Sequence, residues 1–441
     1  MSVAKTDFFF GISIAMTKTM KDCTDLDRRR KVALDAKAKH NNACDKLDII
    51  GITGTNGKTT TAHIIVHILS SCGIKTAMIG TLGIVVGGEK NFISPSKLTT
   101  PDPTDLHEAF ARMVKMGVRA VVMECSAHAI YLEKLAGINF RQKIFTNLSM
   151  DHLDFFGDYR TYADVKINWF DGAKNSIINI DDAESETIVQ NQSVGASVAR
   201  PKGLHTYSLQ DATEIEMHTT HSKFTLKNTK IECGTRFFVP LAGEFNIYNT
   251  LAAINSAREM GLGDDEIATA LKTLPPVPGR FNSVDVNGVT VIIDYAHTPD
   301  SLEKILQTAR GLSQGKLITV FGCGGNRDVG KRPLMGRIAG RLSDFTVITS
   351  DNPRTEPSRS IMLQIRAGVK LESRNYLLIQ ERCDAIFFAL HKANRGDIVV
   401  IAGKGAEEYI EIDNKRIPYS DATVVHEFQK LMQNSTKKDT N

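Results

Sequence analysis

The sequence predicts an α/β protein with two domains, each built on a largely parallel β-sheet. From Leu47 onward, apolar runs of four to six residues that end in Gly, Asn or Asp alternate with helical patterns, which is typical of β/α units. The chain has 441 residues, which is enough for two to three domains at about 150 residues each. The strongest interruption of the pattern is the Pro-rich run 275–279, which predicts the boundary between the two domains.

The composition is that of an ordinary soluble protein and excludes several functional classes. Apolar residues make up 42% and charged residues 24% of the chain, so disordered and collagen-like classes are excluded. Residues 17–46 hold nine Lys or Arg and five Asp or Glu, which accounts for the net charge of +4. The rest of the chain is balanced, so we expect no nucleic-acid partner, and any anion site must be local.

The cysteines and the first residues predict a cytoplasmic protein. The seven cysteines are an odd number and include no C-x-x-C pair, which favours a reducing compartment and argues against a zinc ribbon. The apolar run 8–16 is too short to span a bilayer and has no small-residue cleavage pattern after it. We therefore expect no membrane partner.

The predicted segments are a short basic N-terminal stretch, a first domain and a second domain, with the boundaries 1–46, 47–277 and 278–441. Residues 17–46 are poor in large apolar side chains, which predicts a solvated helix or a mobile arm. Between 189 and 241, short alternating segments such as 214–217 and 229–232 predict an antiparallel meander.

Apolar runs predict the strands of both sheets. In the first domain they cover 48–52, 120–123 and 144–148. In the second domain they cover 289–294, 317–321, 345–349, 377–380 and 397–402. Ligands of doubly wound sheets bind at the carboxyl ends of the strands, and polar side chains follow each of these ends.

Residues 53–60, TGTNGKTT, follow a strand and open a helix, which predicts a phosphate-binding loop. Glycines allow backbone N–H groups to converge on phosphate oxygens, and the helix N-terminus adds positive potential. Lys58 supplies charge and Thr59 can reach magnesium. The strict G-x-x-x-x-G-K-[ST] pattern is not met, because Ile52 occupies the first glycine position.

Two other strand ends carry groups that suit a metal–nucleotide site. Glu124 ends an apolar strand, where the magnesium of a nucleotide needs an oxygen ligand. The loop after the next strand contains Asp151, His152 and Asp154. Lys166 lies in a helical segment predicted over 162–170, and by pattern alone it is a surface lysine.

Eleven ordered motifs between about residues 47 and 420 resemble those of Mur ligases. They are TGTNGKTT (53–60), LTTPDP (98–103), ECSAH (124–128), TNLSMDHLD (146–154), 162–166, GEFNIYN (243–249), PGRF (278–281), DYAHTPD (294–300), FGCGGNRDVGKRPLM (321–335), DNPR (351–354) and GKGAE (403–407). Within the family they are most similar to ligases that add the third amino acid of the peptidoglycan stem peptide.

The resemblance implies an ATP-dependent ligase that forms an amide bond through an acyl phosphate, with ATP and Mg²⁺ as cofactors. It implies a central P-loop ATPase-type parallel-sheet domain, a C-terminal Rossmann-like α/β domain and a truncated N-terminal domain. The substrates are small molecules: ATP, an amino acid and a peptide or nucleotide-sugar-peptide acceptor. A monomer is expected.

The resemblance also assigns the catalytic and nucleotide-binding residues. The catalytic residues are Lys58, Glu124, His152 and Lys166. The metal ligands are Thr59, Glu124, His152 and Lys166, the last of these carbamylated to N6-carboxylysine. The ATP-binding residues are Gly54, Thr55, Asn56, Gly57, Lys58, Thr59, Thr60, Asn246, Asn249, Arg280 and Asp294, with the two asparagines on the adenine side and Asp294 on the ribose.

Two further sets are implied for the substrates that are joined. The acceptor-binding residues are Thr99, Thr100, Ser126 and Lys134. The amino-acid-binding residues are Arg327, Asp351, Asn352, Arg354, Gly403 and Glu407. Because lysine-adding relatives lack the arginine at the position of Arg354, its presence favours meso-diaminopimelate, whose carboxylate a planar guanidinium can bind with two hydrogen bonds.

Several departures from the family pattern leave three functions open. Ala406 and Ala127 replace a histidine and a serine, Lys134 replaces an arginine, and only about 46 residues precede the first strand. The first function is a diaminopimelate-type ligase with a shortened sugar-nucleotide domain. The second is a folylpolyglutamate-synthase-like or other Mur-type ligase whose acceptor carries no UDP-sugar. The third is a nucleotide-binding scaffold on an inactive ligase core, which the intact catalytic residues disfavour.

Overall fold

A computed structural model describes residues 25–87, 89–90, 98–193, 203–227 and 234–438. Within these residues it contains an eight-stranded sheet and a six-stranded sheet, called here the large and the small sheet. Both are mainly parallel and flanked by helices, which confirms the predicted α/β class. None of the helices in the described part has the length and apolar content needed to cross a bilayer.

The large sheet and its helices come from the first half of the chain. Helix α1 comprises residues 25–39. The next elements are β1 (Asp48–Thr53), α2 (Lys58–Ser71), β2 (Thr76–Gly80), β3 (Gly83–Val86), β4 (Glu89–Lys90), α3 (Pro103–Lys115), β5 (Ala120–Glu124), α4 (Ala127–Tyr131), β6 (Phe140–Phe145), α5 (Leu153–Phe156), α6 (Tyr159–Asn168), β7 (Ser176–Asn179), α7 (Ser185–Ser193) and β8 (Leu204–Tyr207).

The strand order of the large sheet is β4-β3-β2-β5-β1-β6-β7-β8. Strand β1 runs parallel to β5 on one side and to β6 on the other, with Ile52 opposite Glu124 and Ile144. The antiparallel pairs of this sheet are β2–β3 and β3–β4, so β3 is the strand that runs opposite to its two neighbours. Strands β2 and β5 are buried throughout, as expected for a parallel sheet covered on both faces.

A small antiparallel sheet and two helices follow. Their bounds are β9 (Ala212–Met217), β10 (Ser222–Leu226), β11 (Thr235–Val239), α8 (Glu244–Glu259) and α9 (Asp264–Leu271). The order β11-β10-β9 confirms the predicted meander for its second half. Its first half is different, because β8 extends the large sheet in parallel with β7. The predicted strand 229–232 lies outside the described residues.

The last third of the chain forms the small sheet. Its elements are β12 (Asn282–Val286), β13 (Val289–Asp294), α10 (Pro299–Leu312), β14 (Leu317–Phe321), α11 (Lys331–Leu342), β15 (Phe345–Ile348), α12 (Ser358–Glu372), β16 (Tyr376–Leu378), α13 (Arg382–Lys392), β17 (Ile398–Ala402), β18 (Tyr409–Ile412), β19 (Lys415–Pro418) and α14 (Asp421–Lys438). The strand order is β12-β13-β17-β14-β15-β16, and β18 pairs with β19 in a separate hairpin.

Helix α1 packs on the large-sheet unit. Its residues Ala33 and Ala36 are buried, and Lys37 Nζ donates to the carbonyl oxygen of Gly137 at 2.7 Å. The helical alternative predicted for this segment is therefore confirmed over residues 25–39, whereas the start of the predicted segment, 17–24, lies outside the described residues.

Two predicted elements begin earlier than the sequence pattern indicated. The strand predicted over 144–148 is β6, which starts at Phe140 because pairing with β1 begins there. After Thr146 N donates to the carbonyl oxygen of Thr53, the chain leaves the sheet and runs along the phosphate loop. The helix predicted over 162–170 is α6, which starts at Tyr159 because the Asp158 side chain caps its N-terminus.

Candidate active site

A cavity of about 690 Å³ lies between the carboxyl ends of the two sheets. The large sheet contributes the phosphate loop, Glu124 and the loop around His152, and the small sheet contributes Asp294 and His297. This is the position at which doubly wound sheets bind ligands. Among the predicted ATP-binding residues, the lining includes Thr55, Asn56, Gly57, Lys58, Thr59, Thr60, Asn249, Arg280 and Asp294.

The phosphate loop depends on glycine at two close approaches. Gly57 has φ 87°, and an added Cβ would lie 2.3 Å from Asn249 Oδ1. Gly54 has φ 148°, and an added Cβ would lie 2.0 Å from Thr146 Oγ1. A side chain larger than hydrogen is excluded at both positions, so glycine allows the loop to pack closely against Asn249 and Thr146.

The loop after β6 fixes the backbone of Asn56. Asn147 Oδ1 accepts from Asn56 N at 2.9 Å, and Asn147 Nδ2 donates to Asn56 O at 3.0 Å. Thr146 Oγ1 donates to the same carbonyl oxygen at 2.7 Å. The phosphate loop therefore has a defined backbone conformation before any nucleotide binds.

Lys58 points back along the phosphate loop. Its Nζ donates to the carbonyl oxygens of Gly54 and Thr55 at 2.8 and 2.9 Å. Burial lowers the pKa of the Lys58 ammonium group, and the charge of Glu124 opposes this shift. A bound phosphate would add further negative charge beside this ammonium group.

Glu124 is the centre of a buried hydrogen-bond cluster. Its Oε1 accepts from Thr59 Oγ1 and from Thr81 N, both at 2.9 Å, and its Oε2 accepts from Thr81 Oγ1 at 3.1 Å. An added Cβ at Gly80 would lie 2.1 Å from Oε1. Sequence reasoning missed Thr81, although its place directly after the end of β2 could have indicated it.

Lys166 is buried, so the surface position favoured by sequence pattern alone is wrong. The residue is 2% exposed, and its Nζ donates to Tyr162 OH at 2.6 Å. That hydroxyl lies 2.9 Å from Thr55 Oγ1 in the phosphate loop. Burial, with the charge of Lys58 acting in the same direction, lowers the pKa of Lys166 well below its ordinary value. A neutral amine is the form that can react with CO₂.

His152 lines the same cavity. Its Nε2 is 3.4 Å from Asp151 Oδ2, and its ring centroid is 4.7 Å from that of His128. Desolvation in the cleft lowers the pKa of His152 to about 4, although Asp151 opposes the shift. The imidazole is therefore neutral near pH 7, which is the form that binds metals.

The donor set fits a magnesium ion that is shared with a nucleotide. Within the described residues no three His, Cys, Asp or Glu side chains converge as a self-contained metal centre. Thr59 Oγ1 and Glu124 Oε1 nevertheless form an adjacent pair of oxygen donors at the phosphate loop. Mg²⁺ commonly uses one or two carboxylates together with substrate phosphates and water.

Arg280 reaches this centre, and Asp294 at the end of β13 lines the same cavity. Arg280 Nη2 donates to Thr59 Oγ1 at 3.2 Å, and its guanidinium carbon lies 4.4 Å from the centroid of the Tyr295 ring. Both carboxylate oxygens of Asp294 accept from backbone N–H groups, those of Phe281 and Ala296, at 2.7 Å. Burial raises the pKa of Asp294, and Arg280 opposes the shift.

The two predicted adenine-side asparagines occupy different environments. Asn249 lines the cavity and touches the phosphate loop at Gly57. Asn246 is buried behind it, where it donates to the carbonyl oxygen of Ala242 at 2.7 Å and accepts from Asn249 Nδ2 at 3.1 Å. The described cavity lining does not include Asn246, which is hydrogen-bonded to Asn249.

Three of the four predicted acceptor-binding residues, Thr99, Thr100 and Ser126, lie on the Glu124 side of the cavity. Thr99 and Ser126 line it. Thr100 is 2% exposed, donates to the carbonyl oxygen of Glu124 at 2.8 Å and accepts from Ser126 N at 3.1 Å. Lys134 pairs with Asp102 at 2.7 Å.

The predicted amino-acid-binding residues form a second cluster at the end of the small sheet. Asn352 Nδ2 donates to Glu407 Oε2 at 2.8 Å. Lys404, which is fully buried, donates to Asn352 Oδ1 at 2.9 Å and to Glu407 Oε2 at 3.0 Å. Sequence reasoning missed Lys404, although it stands inside the GKGAE motif.

The remaining members of this set have different environments. Asp351 is buried against Gly403, whose Cβ position would lie 2.5 Å from Asp351 Oδ2. Although burial acts to raise it, Lys404 and Arg382 together hold the pKa of Asp351 below its ordinary value. Arg327 is exposed on the loop after β14.

Arg327 lies within electrostatic reach of the large-sheet unit. Burial lowers the pKa of His128, the charge of Asp154 opposes this, and Arg327 adds to the lowering. Arg327, a member of the predicted amino-acid set, is therefore electrostatically coupled to His128 in the ECSAH motif of the large-sheet unit.

Two family models match the chain. The Mur ligase middle domain matches residues 52–257, and the Mur ligase, glutamate ligase domain matches residues 279–405. A UDP-N-acetylmuramoyl-L-alanyl-D-glutamate–2,6-diaminopimelate ligase from Clostridium botulinum is 39% identical over 93% of this chain and 84% of its own length. The ligase of the same name from Syntrophomonas wolfei is 40% identical over 92% of this chain and 82% of its own. The chain belongs to the Mur ligase family.

Solved structures support the fold of this Mur ligase. A diaminopimelate ligase of the same name superimposes with a TM-score of 0.61 at 33% identity, covering 88% of this chain and 79% of the other. A folylpolyglutamate synthase from Mycobacterium tuberculosis gives a TM-score of 0.68 at 18% identity, covering 85% and 92%. The second likeness shows the shared fold alone. As a Mur ligase, the protein is an ATP-dependent enzyme that forms amide bonds.

Proposed function

We propose that this Mur ligase attaches meso-diaminopimelate to a UDP-MurNAc-dipeptide-type acceptor, as a step of peptidoglycan synthesis. The observation that carries the proposal is the identity of 38 to 40% with relatives named as diaminopimelate ligases, over 90% or more of this chain. The likeness to folylpolyglutamate synthase, at 18% identity, does not favour the alternative acceptor.

The cavity supports a phosphoryl transfer to the acceptor carboxylate. In the proposed reaction an acceptor oxygen attacks the γ-phosphorus of ATP, the bond to the β-γ bridging oxygen breaks, and ADP leaves. Lys58, Arg280 and the N–H groups of the phosphate loop neutralise the charge that develops on the transferred group. Thr59 and Glu124 would hold one Mg²⁺, and His152 with a carbamylated Lys166 a second. Magnesium, when bound, adds to the neutralisation of the phosphate oxygens.

The second half of the reaction uses the acyl phosphate. The amino group of the incoming amino acid attacks the acyl carbon, an amide bond forms, and inorganic phosphate leaves with the electrons of the broken C–O bond. The cluster around Asn352, Arg354 and Glu407 supports binding of this amino acid. Holding both reactants at the cleft turns a bimolecular step into an effectively unimolecular one.

We also propose a monomer that acts in the cytoplasm on small molecules. The cysteines at positions 44, 72, 125, 323 and 383 are free thiols, which suits a reducing compartment. The flat charge balance supports the absence of a nucleic-acid partner.

The proposal is tested by phosphate release from ATP. Each acceptor, either UDP-MurNAc-dipeptide or a folate-type glutamyl acceptor, is crossed with diaminopimelate, lysine and glutamate. We expect phosphate release only with the dipeptide acceptor and diaminopimelate. The product should have the mass of the acceptor plus the mass of diaminopimelate, minus one water. Release with the folate-type acceptor and glutamate would contradict the proposal. Lys58→Ala is the control for contaminating ATPases.

A further inference from the structure

The hairpin β18–β19 fixes the backbone of Arg354. Arg354 N donates to the carbonyl oxygen of Glu411 at 2.9 Å, and Asp413 N donates to the carbonyl oxygen of Arg354 at 2.8 Å. Arg354 has φ 53°, a left-handed conformation that costs free energy for an arginine. Such a conformation persists only where its surroundings hold it. Here the hairpin forms hydrogen bonds with both the backbone N–H and the carbonyl oxygen of Arg354.

The same hairpin also fixes the guanidinium group of Arg354. Arg354 Nε lies 3.4 Å from Glu411 Oε2, and each side chain is 22% exposed. On its other side Arg354 Nη1 donates to the carbonyl oxygen of Gly325 at 2.7 Å. Within the described residues Nη2 has no hydrogen-bond partner, so on the terminal edge of the guanidinium Nη2 and the second hydrogen of Nη1 remain for a ligand.

Glu411 connects this arginine to the rest of the amino-acid cluster. Its backbone N–H donates to Asn352 Oδ1 at 2.9 Å, the same oxygen that accepts from Lys404. One residue of the hairpin therefore touches two of the three polar side chains of the DNPR motif, Asn352 through its backbone and Arg354 through its carboxylate.

We propose that Glu411 is a positioning residue that determines the amino-acid specificity of this ligase. An arginine can bind a carboxylate through its Nε edge or through its terminal edge. Glu411 occupies the Nε edge, so the carboxylate of the incoming amino acid meets the terminal edge in one orientation. The inference rests on the proposed function, because it takes the ligand of Arg354 to be the incoming amino acid.

The variant Glu411→Gln tests this role with little change in shape. It keeps the backbone bonds of the hairpin and removes the negative charge from Nε. We expect the KM for diaminopimelate to rise about tenfold, with kcat and the KM for ATP changed by less than about twofold. The preference for diaminopimelate over lysine should fall by a similar factor. Glu408→Gln, an exposed carboxylate in the same chain segment, is the matched control and should change neither value.

A double-mutant cycle separates positioning from a general structural effect. In an Arg354→Lys background the Glu411→Gln change should have no further effect on the KM for the amino acid, because the group that it orients is absent. An unchanged KM in the single variant, or the same increase in both backgrounds, would overturn the proposal. If the wild type does not use diaminopimelate, the proposed function fails, and the cycle is measured with whichever amino acid supports phosphate release.

Discussion

The Asn56 side chain of the phosphate loop donates from Nδ2 to Asp300 Oδ2 at 2.8 Å. Asn56 belongs to the large-sheet unit and Asp300 to the first turn of α10, beside the small sheet. Because the backbone of Asn56 is held by Asn147 and Thr146, only its side chain is free to cross the cleft. The nucleotide-binding loop thus contacts the unit that carries the amino-acid cluster.

Asp300→Ala should open the ligand-free cleft. The substitution removes the acceptor of Asn56 and also the partner of Lys304, which lies 3.0 Å from Asp300. We expect a larger radius of gyration in small-angle X-ray scattering without nucleotide and a decrease of about tenfold in kcat/KM for ATP, the scale of one hydrogen bond to a charged group. Asp300→Asn retains an acceptor oxygen and should stay closer to the wild type. Identical scattering of all three proteins would show that this contact does not hold the cleft closed.

Lys58→Ala should abolish ATP-dependent turnover. The phosphate loop then lacks the charge that neutralises the transferring phosphoryl group, so we expect at least a ~10³-fold loss of kcat in the phosphate-release assay. Lys223→Ala, on the exposed face of β10 and paired with Glu216, is the control and should leave turnover unchanged. Near-normal turnover of Lys58→Ala would rule out this loop as the phosphate site.

Lys166 should be carbamylated by dissolved CO₂. Its pKa is lowered by burial and by Lys58, so the amine is neutral and nucleophilic at a pH where ordinary lysines stay protonated. With ¹³C-labelled bicarbonate at pH 8, we expect a carbamate resonance in the ¹³C NMR spectrum of the wild type and none in Lys166→Arg. A spectrum without this resonance, or one that persists in Lys166→Arg, contradicts the assignment of N6-carboxylysine to this position.

Arg354→Lys should weaken amino-acid binding and leave ATP binding unchanged. An ammonium group cannot form the two parallel hydrogen bonds of a guanidinium, so we expect a loss of roughly 1.5–3 kcal/mol, the scale of a hydrogen bond to a charged group. The readout is the KM for the amino acid against the KM for ATP. Equal increases in both values would indicate a folding defect.

His107 should make folding less favourable at acid pH. The side chain is 1% exposed, and neither ring nitrogen has a hydrogen-bond partner within the described residues. Burial, with the charges of His40 and Lys37, lowers the pKa of His107 to about 4. Since the unfolded chain binds this proton from pH 6.5 downward and the folded chain does not, stability falls as the pH drops through the window from about 6.5 to 4.

The expected size of this effect is about 2 kcal/mol of unfolding free energy lost between pH 8 and pH 5. It is measured by urea unfolding at the two pH values. His107→Leu has no titrating group at this position, so its loss over the same range should be smaller by that amount. Equal losses in the two proteins would show that His107 is protonated without cost in the folded state.

The features that could be predicted from the sequence are those encoded by residues close together in the chain. The phosphate loop from Gly54 to Thr59 is one strand, one turn and one helix start, and each of these is encoded within a few residues. The same holds for the strands that end at Glu124 and Asp294, because a run of apolar residues and its polar end are adjacent in the chain.

Contacts between distant segments were beyond the reach of the sequence pattern. Lys166 is 4 residues from Tyr162 but 111 from Thr55, and only packing of α6 on the large sheet buries it beside the phosphate loop. Thr81 and Lys404 are ordinary polar residues in sequence. Folding brings the Glu124 carboxylate to 2.9 Å from Thr81 N and the Asn352 amide oxygen to 2.9 Å from Lys404 Nζ.

The sequence by itself determined the α/β class, the phosphate loop and, through ordered motifs, the family. Short-range preferences and the order of motifs are properties of the chain that need no three-dimensional information. The tertiary structure decided which polar groups are buried, which of their atoms are already bonded and which remain for a ligand. These outcomes depend on long-range packing, since burial sets the pKa of Lys166 and the hairpin β18–β19 sets the direction of Arg354.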